Sequence, residues 1–368
     1  MTPPLAAPPE DAPPTLVYAL YQGNLYGTER MALATAAGLQ ARGAVARILA
    51  PEGLVHEAAR QAGLRSCVYR GAPDLLRQVD RLLACAPALA FLGTRLEHSL
   101  ALAAANLRRR RPVKHWLVVH GGGGKNVYRR NRLLAPLDLG FIAVSPYVRR
   151  CLIDNGIPSR RITVAENFMA RSQRDTVPRR ALFTEDGVRR VALISRLEAP
   201  KRLDLLLSAL QREPGLAGLR FDVFGDGSQR GELAALAARL ANVRWLGFQP
   251  DAAQRLHEYD LLLHTAPHEP FGLVLLEAMA AGVPVLVPDA GGPADIAAGG
   301  AGRLYRAGDA ADLARQLSWF ASAPASALAS QVERGRNALE DRFGDDAGLD
   351  RYAALLDGIP RIDDHPSR

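Results

Sequence analysis

The 368-residue chain is too long for one ordinary core, so two domains are expected. Its 48% hydrophobic and 23% charged residues exclude a disordered chain, and no apolar run approaches the roughly 18 residues of a membrane span. The net charge of +8 is uneven: residues 1–170 hold 22 Lys and Arg against 11 Asp and Glu, and residues 171–368 hold 24 against 27.

The opening segment, MTPPLAAPPEDAPP (1–14), is Pro-rich, with no basic start and no apolar stretch. It is expected to be a flexible leader and not a signal peptide. TLVYAL (15–20) reads as a strand, TERMALATAAGLQARG (28–43) as a helix ending at Gly43, and AVARILA (44–50) as the next strand. LAFLG (89–93), HWLVVH (115–120) and GFIAVS (140–145) continue the series. Alternation of this kind predicts a parallel sheet wrapped by helices. Cys67, Cys85 and Cys151 lack metal-ligand spacing, and so sparse a set suits a reducing cytoplasm.

Residues 101–150 carry 11 basic residues and one acid, Asp138, with Arg108 to Arg111, Lys114, Arg129, Arg130 and Arg132 among them. The run reads either as a solvated basic face or as a surface for something anionic, a membrane or a phosphorylated acceptor. Nucleic acid is not expected, because no recognition motif accompanies the charge.

After a polar, basic stretch, ARSQRDTVPRR (170–180), the alternation restarts. VRRVALISR (188–196), LRFDVFG (219–225), VRWLG (243–247), DLLLHT (260–265) and VPVLVPD (283–289) read as strands; LDLLLSAL (203–210) and GELAALAARLA (231–241) read as helices. The domain boundary is therefore expected near 170–185, with a doubly wound α/β sheet on each side. Ligands of such sheets bind beyond the carboxyl ends of strands, so the loops there matter most.

EPFGLVLLEAMAAGVPV (269–285) is one such place. Pro270 keeps Glu269 out of helical geometry, and a helix follows from about Phe271–Gly272 to just before Gly282. Its residues are apolar all round except Glu277, so it is expected to be buried. A buried carboxylate needs a partner: the backbone, an Arg, or the hydroxyls of a ligand. Free N–H groups at Gly272, Leu273 and Val274 favour an anion, and Gly272 allows a phosphate to approach closely. Arg196 and Lys201 in SRLEAPKR (195–202) are two cations at the mouth of the sheet, suited to a diphosphate. GDGS (225–228) reads as a tight turn.

In the N-terminal half, YGTE (26–29) joins the first strand to the first helix, with Gly27 permitting close approach and Thr28 or the loop before it as the cap. HGGGGK (120–125) is not a P-loop, since the leading Gly is missing and Asn126 stands where Ser or Thr is needed. His120 is either a buried structural histidine or a cleft residue. His264, His268 and Glu269 do not read as a metal site, because Pro267 breaks the spacing. The chain has no Asp-x-Asp, which argues against a metal-bridged nucleotide-sugar site.

These pieces together resemble the retaining GT-B glycosyltransferases of the GT4 group, over most of the chain. Glu269 to Glu277 is similar to that family's Glu-x7-Glu motif, and Ser195 to Lys201 to its phosphate-binding Gly-Arg-Leu segment with a following Lys. Gly225-Asp-Gly, Trp245 to Gly247, and Arg342 through Leu356 also fit. Tyr26-Gly27 departs from the usual Gly-Gly, Ser195 and Arg202 from Gly, and Asp295 from Glu.

The resemblance implies two Rossmann-like doubly wound domains facing across a cleft. Residues 15–175 would take the acceptor and 176–344 the nucleotide sugar, with a helix at about 345–365 packing back on the first domain. It implies that Glu277 bonds the ribose, and that Glu269 holds the transferred sugar with Phe271 to Leu273 beside it. Arg196 and Lys201 would neutralise the diphosphate, and the backbone near Gly247, Phe248 and Gln249 would flank the base. His120 would stand beside the reacting sugar and Gly27 near the diphosphate.

The expected function is transfer of a hexose from a nucleotide diphosphate sugar to an envelope glycan or lipid-linked acceptor. No metal and no further cofactor are expected, and the expected place is the cytoplasm, at the inner membrane face if the basic half docks there. The alternatives are an epimerase or sugar-phosphate synthase on the same scaffold and a non-catalytic binding subunit; the intact Arg196, Lys201, Glu269 and Glu277 argue against the last.

Overall fold

The apolar runs assemble into two parallel sheets in the computed structural model, which describes residues 14–85, 88–110, 113–121, 125–134, 136–183 and 187–356. Residues 1–13 of the expected leader, 357–365 of the expected closing helix and Gly122 to Gly124 lie outside the described residues.

The first sheet contains β1 (Thr15–Ala19), β2 (Val45–Ala50), β3 (Arg65–Val68), β4 (Leu89–Gly93), β5 (Val113–Val119), β6 (Gly140–Ala143) and β7 (Ile162–Val164), in the order 3-2-1-4-5-6-7. The second contains β8 (Arg190–Ile194), β9 (Arg220–Phe224), β10 (Val243–Gly247), β11 (Leu261–Leu263), β12 (Val285–Pro288) and β13 (Arg303–Tyr305), in the order 10-9-8-11-12-13. All strand pairs are parallel. Strand order reverses beside β1 in one sheet and beside β8 in the other. A crevice opens at each reversal, beyond the carboxyl ends of β1 and β4 and of β8 and β11. The central strands β1 and β4 are buried along their whole length, which is why they read as continuous apolar runs.

Three strands have no apolar run to announce them, β3, β7 and β13, and each is a sheet edge. The helix read over 231–241 is shorter, Arg230–Leu236. Beyond it the chain turns at Ala237–Leu240, where the Leu240 N–H bonds the Ala237 carbonyl, and so delivers Val243 into β10. Among the described residues no helix is long and apolar enough to cross a membrane.

The two domains are held by polar contacts as well as by a shared apolar core. Ser145 caps the helix Pro146–Asp154 by accepting from the Val148 N–H at 3.1 Å, and its hydroxyl donates to the Pro270 carbonyl at 2.6 Å. Asp295 accepts from the Tyr147 N–H at 2.7 Å and from Arg150 at 3.0 Å. Arg342 forks onto Glu166 at 2.6 and 3.0 Å. The last described helix, Asp345–Leu356, lies on the first one, Gly27–Ala41, with Leu349 filling the space above Gly38 and Asp350 bonded to Arg42 at 2.5 Å.

Candidate functional site

The loop after β8 is fixed from behind by glycines. Gly225 has φ +131°, and any Cβ there would collide with the Ser195 carbonyl; one at Gly227 would lie 2.5 Å from the Leu197 carbonyl. Glu198 accepts from the Ser228 N–H at 3.2 Å and from the Ser228 hydroxyl at 2.7 Å. The GDGS turn is thus the support of the segment that carries Arg196 and Lys201. Lys201 closes a short 3-10 helix, Ala199–Lys201, and the Thr265 hydroxyl donates to its carbonyl at 2.6 Å. Arg202 follows with φ +54°, a left-handed conformation that glycine takes without strain. The Arg196 guanidinium is exposed and forms no ion pair among the described residues.

The loop after β11 brings Glu269 to Lys201, and the two form an ion pair with each side chain 19% exposed. Burial works against the Glu269 charge, but the Lys201 ammonium, with Arg196 behind it, holds its carboxyl below the ordinary carboxylate range. Glu269 is therefore ionised at neutral pH. The loop is locked by Gly292, whose N–H bonds the Glu269 carbonyl at 2.8 Å and whose Cα faces the backbone of Pro270 and Phe271. His264 is buried beside this pair, its Nδ1 without a hydrogen-bond partner among the described residues; burial pushes its pKa down to about 4.

The helix that follows runs Leu273–Ala281, starting slightly later than its sequence suggests, because Gly272 (φ +105°) is its N-cap and Gly282 (φ +73°) its C-cap. No side chain caps its first turn. Phe271 is buried and packs edge-on against Phe343 at 5.8 Å, so its ring faces the core and only its backbone can face a ligand. Glu277 is 18% exposed and accepts from Arg30 of the first domain at 3.3 Å. Burial raises its carboxyl above the ordinary carboxylate range, and Arg30 offsets only part of that rise.

The first domain presents a second open helix end. Tyr26, in the loop before Thr28, is the N-cap of Gly27–Ala41 and makes no side-chain cap bond; the buried Glu29 carboxylate in the first turn accepts from the Glu29 and Tyr26 N–H groups, which leaves those of Gly27 and Thr28 to face the cleft. A Cβ on Gly27 would lie 3.3 Å from Leu273 Cδ1: the two helix N-termini face each other. His120, at the end of β5, is within 3.3 Å of the Tyr18 hydroxyl through Nε2, and burial lowers its pKa to about 4, which makes it neutral. Its neighbour Gly121 (φ +64°) packs on Pro270, with a Cβ there 2.7 Å from Pro270 Cγ. His120 thus stands next to the Glu269 loop.

The structure joins Lys201 to Glu269, Gly27 to Leu273, and the His120 strand end to Pro270. Gly247 (φ +71°) accepts from the Gly225 N–H at 2.7 Å, which ties the end of β10 to the same loops, and Phe248 beside it is 74% exposed. Sequence reasoning missed Arg30. It lies one turn into the helix that begins at Gly27, but nothing in sequence pairs it with a residue 247 positions away. Asp295 was noted as a departure from Glu, yet its bond to Tyr147 has no sequence signal. Among the described residues, no three His, Cys, Asp or Glu side chains are grouped so as to hold a metal ion.

Residues 177–338 match the profile of the glycosyl transferases group 1, and residues 26–172 that of glycosyltransferase family 4. The chain is 32% identical to the lipopolysaccharide core biosynthesis glycosyltransferase LpsE of Rhizobium meliloti over 205 residues, 55% of this chain and 59% of that protein. It is 33% identical to a GDP-mannose-dependent alpha-mannosyltransferase of Mycobacterium tuberculosis over 163 residues, 42% of this chain and 40% of the other. The matched stretch thus spans less than two thirds of either relative. HepE of Anabaena, solved in complex with UDP and glucose, shares the fold with a TM-score of 0.78 at 21% identity, over 93% of this chain and 99% of that one.

Proposed function

The chain belongs to the GT4-type GT-B glycosyltransferases, and from that premise we propose that it moves a hexose, with retention, from a nucleotide diphosphate sugar to an envelope glycan or a lipid-linked acceptor. The observation that carries the reading is the Lys201–Glu269 pair, set at one uncapped helix N-terminus and opposite a second.

Each part of that arrangement suits one part of a nucleotide sugar. Two helix N-termini with Lys201 and Arg196 offer N–H groups and positive charge where the diphosphate acquires negative charge on leaving. This stabilisation is the main catalytic contribution, and it needs no metal. Glu269, ionised, accepts hydrogen bonds from the sugar hydroxyls. Glu277 accepts from the ribose, and Gly247 to Gln249 flank the base. His120, neutral, is a hydrogen-bonding group beside the anomeric centre. The acceptor oxygen bonds to the anomeric carbon as the carbon–oxygen bond to phosphate breaks. The acceptor proton passes to the departing phosphate oxygen on the same face, so configuration is kept.

The relatives support the substrate classes: one is named for lipopolysaccharide core biosynthesis and the other for mannosyl transfer. The basic first half suits an anionic acceptor or an anionic membrane face. The test is a thermal-shift panel of UDP, GDP and ADP sugars, followed by turnover with the stabilising donor and the anomeric configuration of the product by NMR. One nucleotide class should stabilise the protein, EDTA should leave turnover unchanged, and the product should keep the donor's configuration. No stabilisation by any nucleotide sugar, or an inverted product, overturns the reading.

A further inference from the structure

Glu277 is the only charged residue on the helix Leu273–Ala281, and it has one hydrogen-bond partner among the described residues. That partner comes from the other domain. Arg30 sits on the first turn of Gly27–Ala41, its N–H bonded to the Tyr26 carbonyl at 3.0 Å, and its Nη1 reaches Glu277 Oε1 at 3.3 Å. The contact is one-pronged. Oε2 of Glu277 accepts from no protein group among the described residues.

The pair borders a cavity between the two helices and the interdomain linker. Its walls are Met31, Phe168, Met169 and Leu276 among others, and Arg30 and Glu277 are its only charged lining residues among the described residues. From the linker, Gln173 is the one polar side chain facing it, and it is neutral. The helix that bears Glu277 contributes no other charge. Whatever fixes the direction and ionisation of this carboxylate must therefore come from Arg30.

We propose that Arg30 is a positioning residue for the nucleotide: it holds Glu277 by Oε1, turns Oε2 toward the ribose, and so makes the donor site of the second domain complete only with the first domain in place. The proposal rests on the assignment of Glu277 to the ribose. An ionised carboxylate accepts at both oxygens, whereas a protonated one has turned one oxygen into a donor. Burial alone favours the protonated form, and the facing guanidinium opposes it. One prong on Oε1 leaves the other oxygen for two vicinal hydroxyls, which a bidentate grip would not.

The experiment is calorimetry of UDP, GDP and ADP with the full chain and with Arg30→Gln, Arg30→Lys and Glu277→Gln, at about pH 6, 7 and 8, because burial raises the Glu277 carboxyl from its ordinary value. The nucleotide that binds best is the probe. Arg30→Gln should weaken it by about tenfold, the usual loss for a charged hydrogen bond, with the deficit growing as pH falls. Arg30→Lys should restore most of the affinity, and the unaltered chain should show a weaker pH dependence than Arg30→Gln. Arg30→Gln leaves the shielded Glu277 carboxylate without its charged partner, so some loss of thermal stability is expected, and affinity is compared at a temperature where every variant is folded. If Glu277→Gln weakens binding while Arg30→Gln binds as the unaltered chain does at every pH, the positioning role is wrong. A deficit independent of pH that Lys does not rescue also overturns it. If Glu277→Gln itself leaves affinity unchanged, the ribose assignment fails, and with it this proposal.

Discussion

Lys201 and Glu269, 68 positions apart in the chain, form an ion pair where the loops after β8 and β11 meet. Each charge is largely shielded from water, so each is costly to leave unpaired. Lys201→Ala should weaken nucleoside diphosphate binding by about 1.5–3 kcal/mol, because it removes a cation and exposes the diphosphate to an unpaired carboxylate. Glu269→Ala should act differently. It frees Lys201 for the diphosphate, so nucleotide affinity should hold or tighten while turnover falls by on the order of a hundredfold or more. Calorimetry and initial rates separate the two, and equal loss of nucleotide affinity in both variants would refute the division of labour.

Four histidines are held neutral by burial, His98 at about 3 and His115, His120 and His264 at about 4. In each the folded pKa lies below the ordinary value near 6.5. As pH falls below about 6.5 the unfolded chain takes up protons that the folded one refuses, and stability drops until the folded pKa is reached. Denaturant unfolding should therefore show a loss on the order of a few kcal/mol between about pH 7 and 5. The turnover profile should carry no step near 6.5 that His120→Asn removes. A flat stability across that range would mean these rings are hydrated in solution.

The sequence reading was accurate for the buried central strands and for β10, and missed three of the four sheet edges. The missed strands, β3, β7 and β13, are all edges; β3 is RSCV with both ends exposed, and β7 and β13 are three residues each. Edges tend to be short and polar because an apolar edge invites pairing with another chain, which leaves little pattern to read; the fourth edge, β10, was legible because its five residues include Val243, Trp245 and Leu246. The loops of the site were legible because Pro270, Gly272 and the lone acid Glu277 break an apolar pattern. Contacts across the domains were not. Ser145 to Pro270 and Arg30 to Glu277 join residues 125 and 247 positions apart, and only the folded topology brings them together.

Two glycines predict opposite outcomes for the same substitution. At Gly292 a Cβ would strike the Pro270 carbonyl and lie 2.6 Å from Phe271 Cα, both backbone, so Gly292→Ala must shift the loop that carries Glu269. It should cost about 1–3 kcal/mol of stability and lower turnover more than that loss explains. Gly231 lies inside the helix Arg230–Leu236 with no atom within 4 Å of a Cβ position. Gly231→Ala should stabilise by about 0.4–1 kcal/mol and leave turnover alone. Thermal unfolding with parallel rates checks both; a neutral Gly292→Ala would show that the loop is not locked there.

The basic stretch of the first domain divides in the structure, and that division sharpens the membrane proposal. Arg109 is not available to an outside anion, because it forks onto Asp80 at 2.7 Å twice, and Arg111 lies outside the described residues. Arg129, Arg130 and Arg132 are exposed, and beside them Leu133 is 65% exposed. The turn Asn131–Leu134 packs against the helix Leu96–Arg109, whose Leu107 is 80% exposed. Cations next to open leucines suit an anionic lipid surface, with about 1 kcal/mol per cation near the headgroups and screening beyond about 8–10 Å at physiological salt. Replacing Arg129, Arg130 and Arg132 together by Ser should therefore reduce binding to anionic vesicles by roughly a hundredfold at low salt. Leu133→Ser should remove the part of binding that survives high salt, since apolar burial is not screened. Nucleotide affinity should be unchanged in both, because none of these exposed side chains belongs to the donor-site groups Gly27, Arg30 and His120 or to the loops of the second domain. Co-sedimentation with anionic and neutral vesicles at two salt concentrations is the measurement. Equal pelleting with both lipids, or none with either at low salt, would leave these arginines as a solvated face and direct the search for the anion to a soluble acceptor.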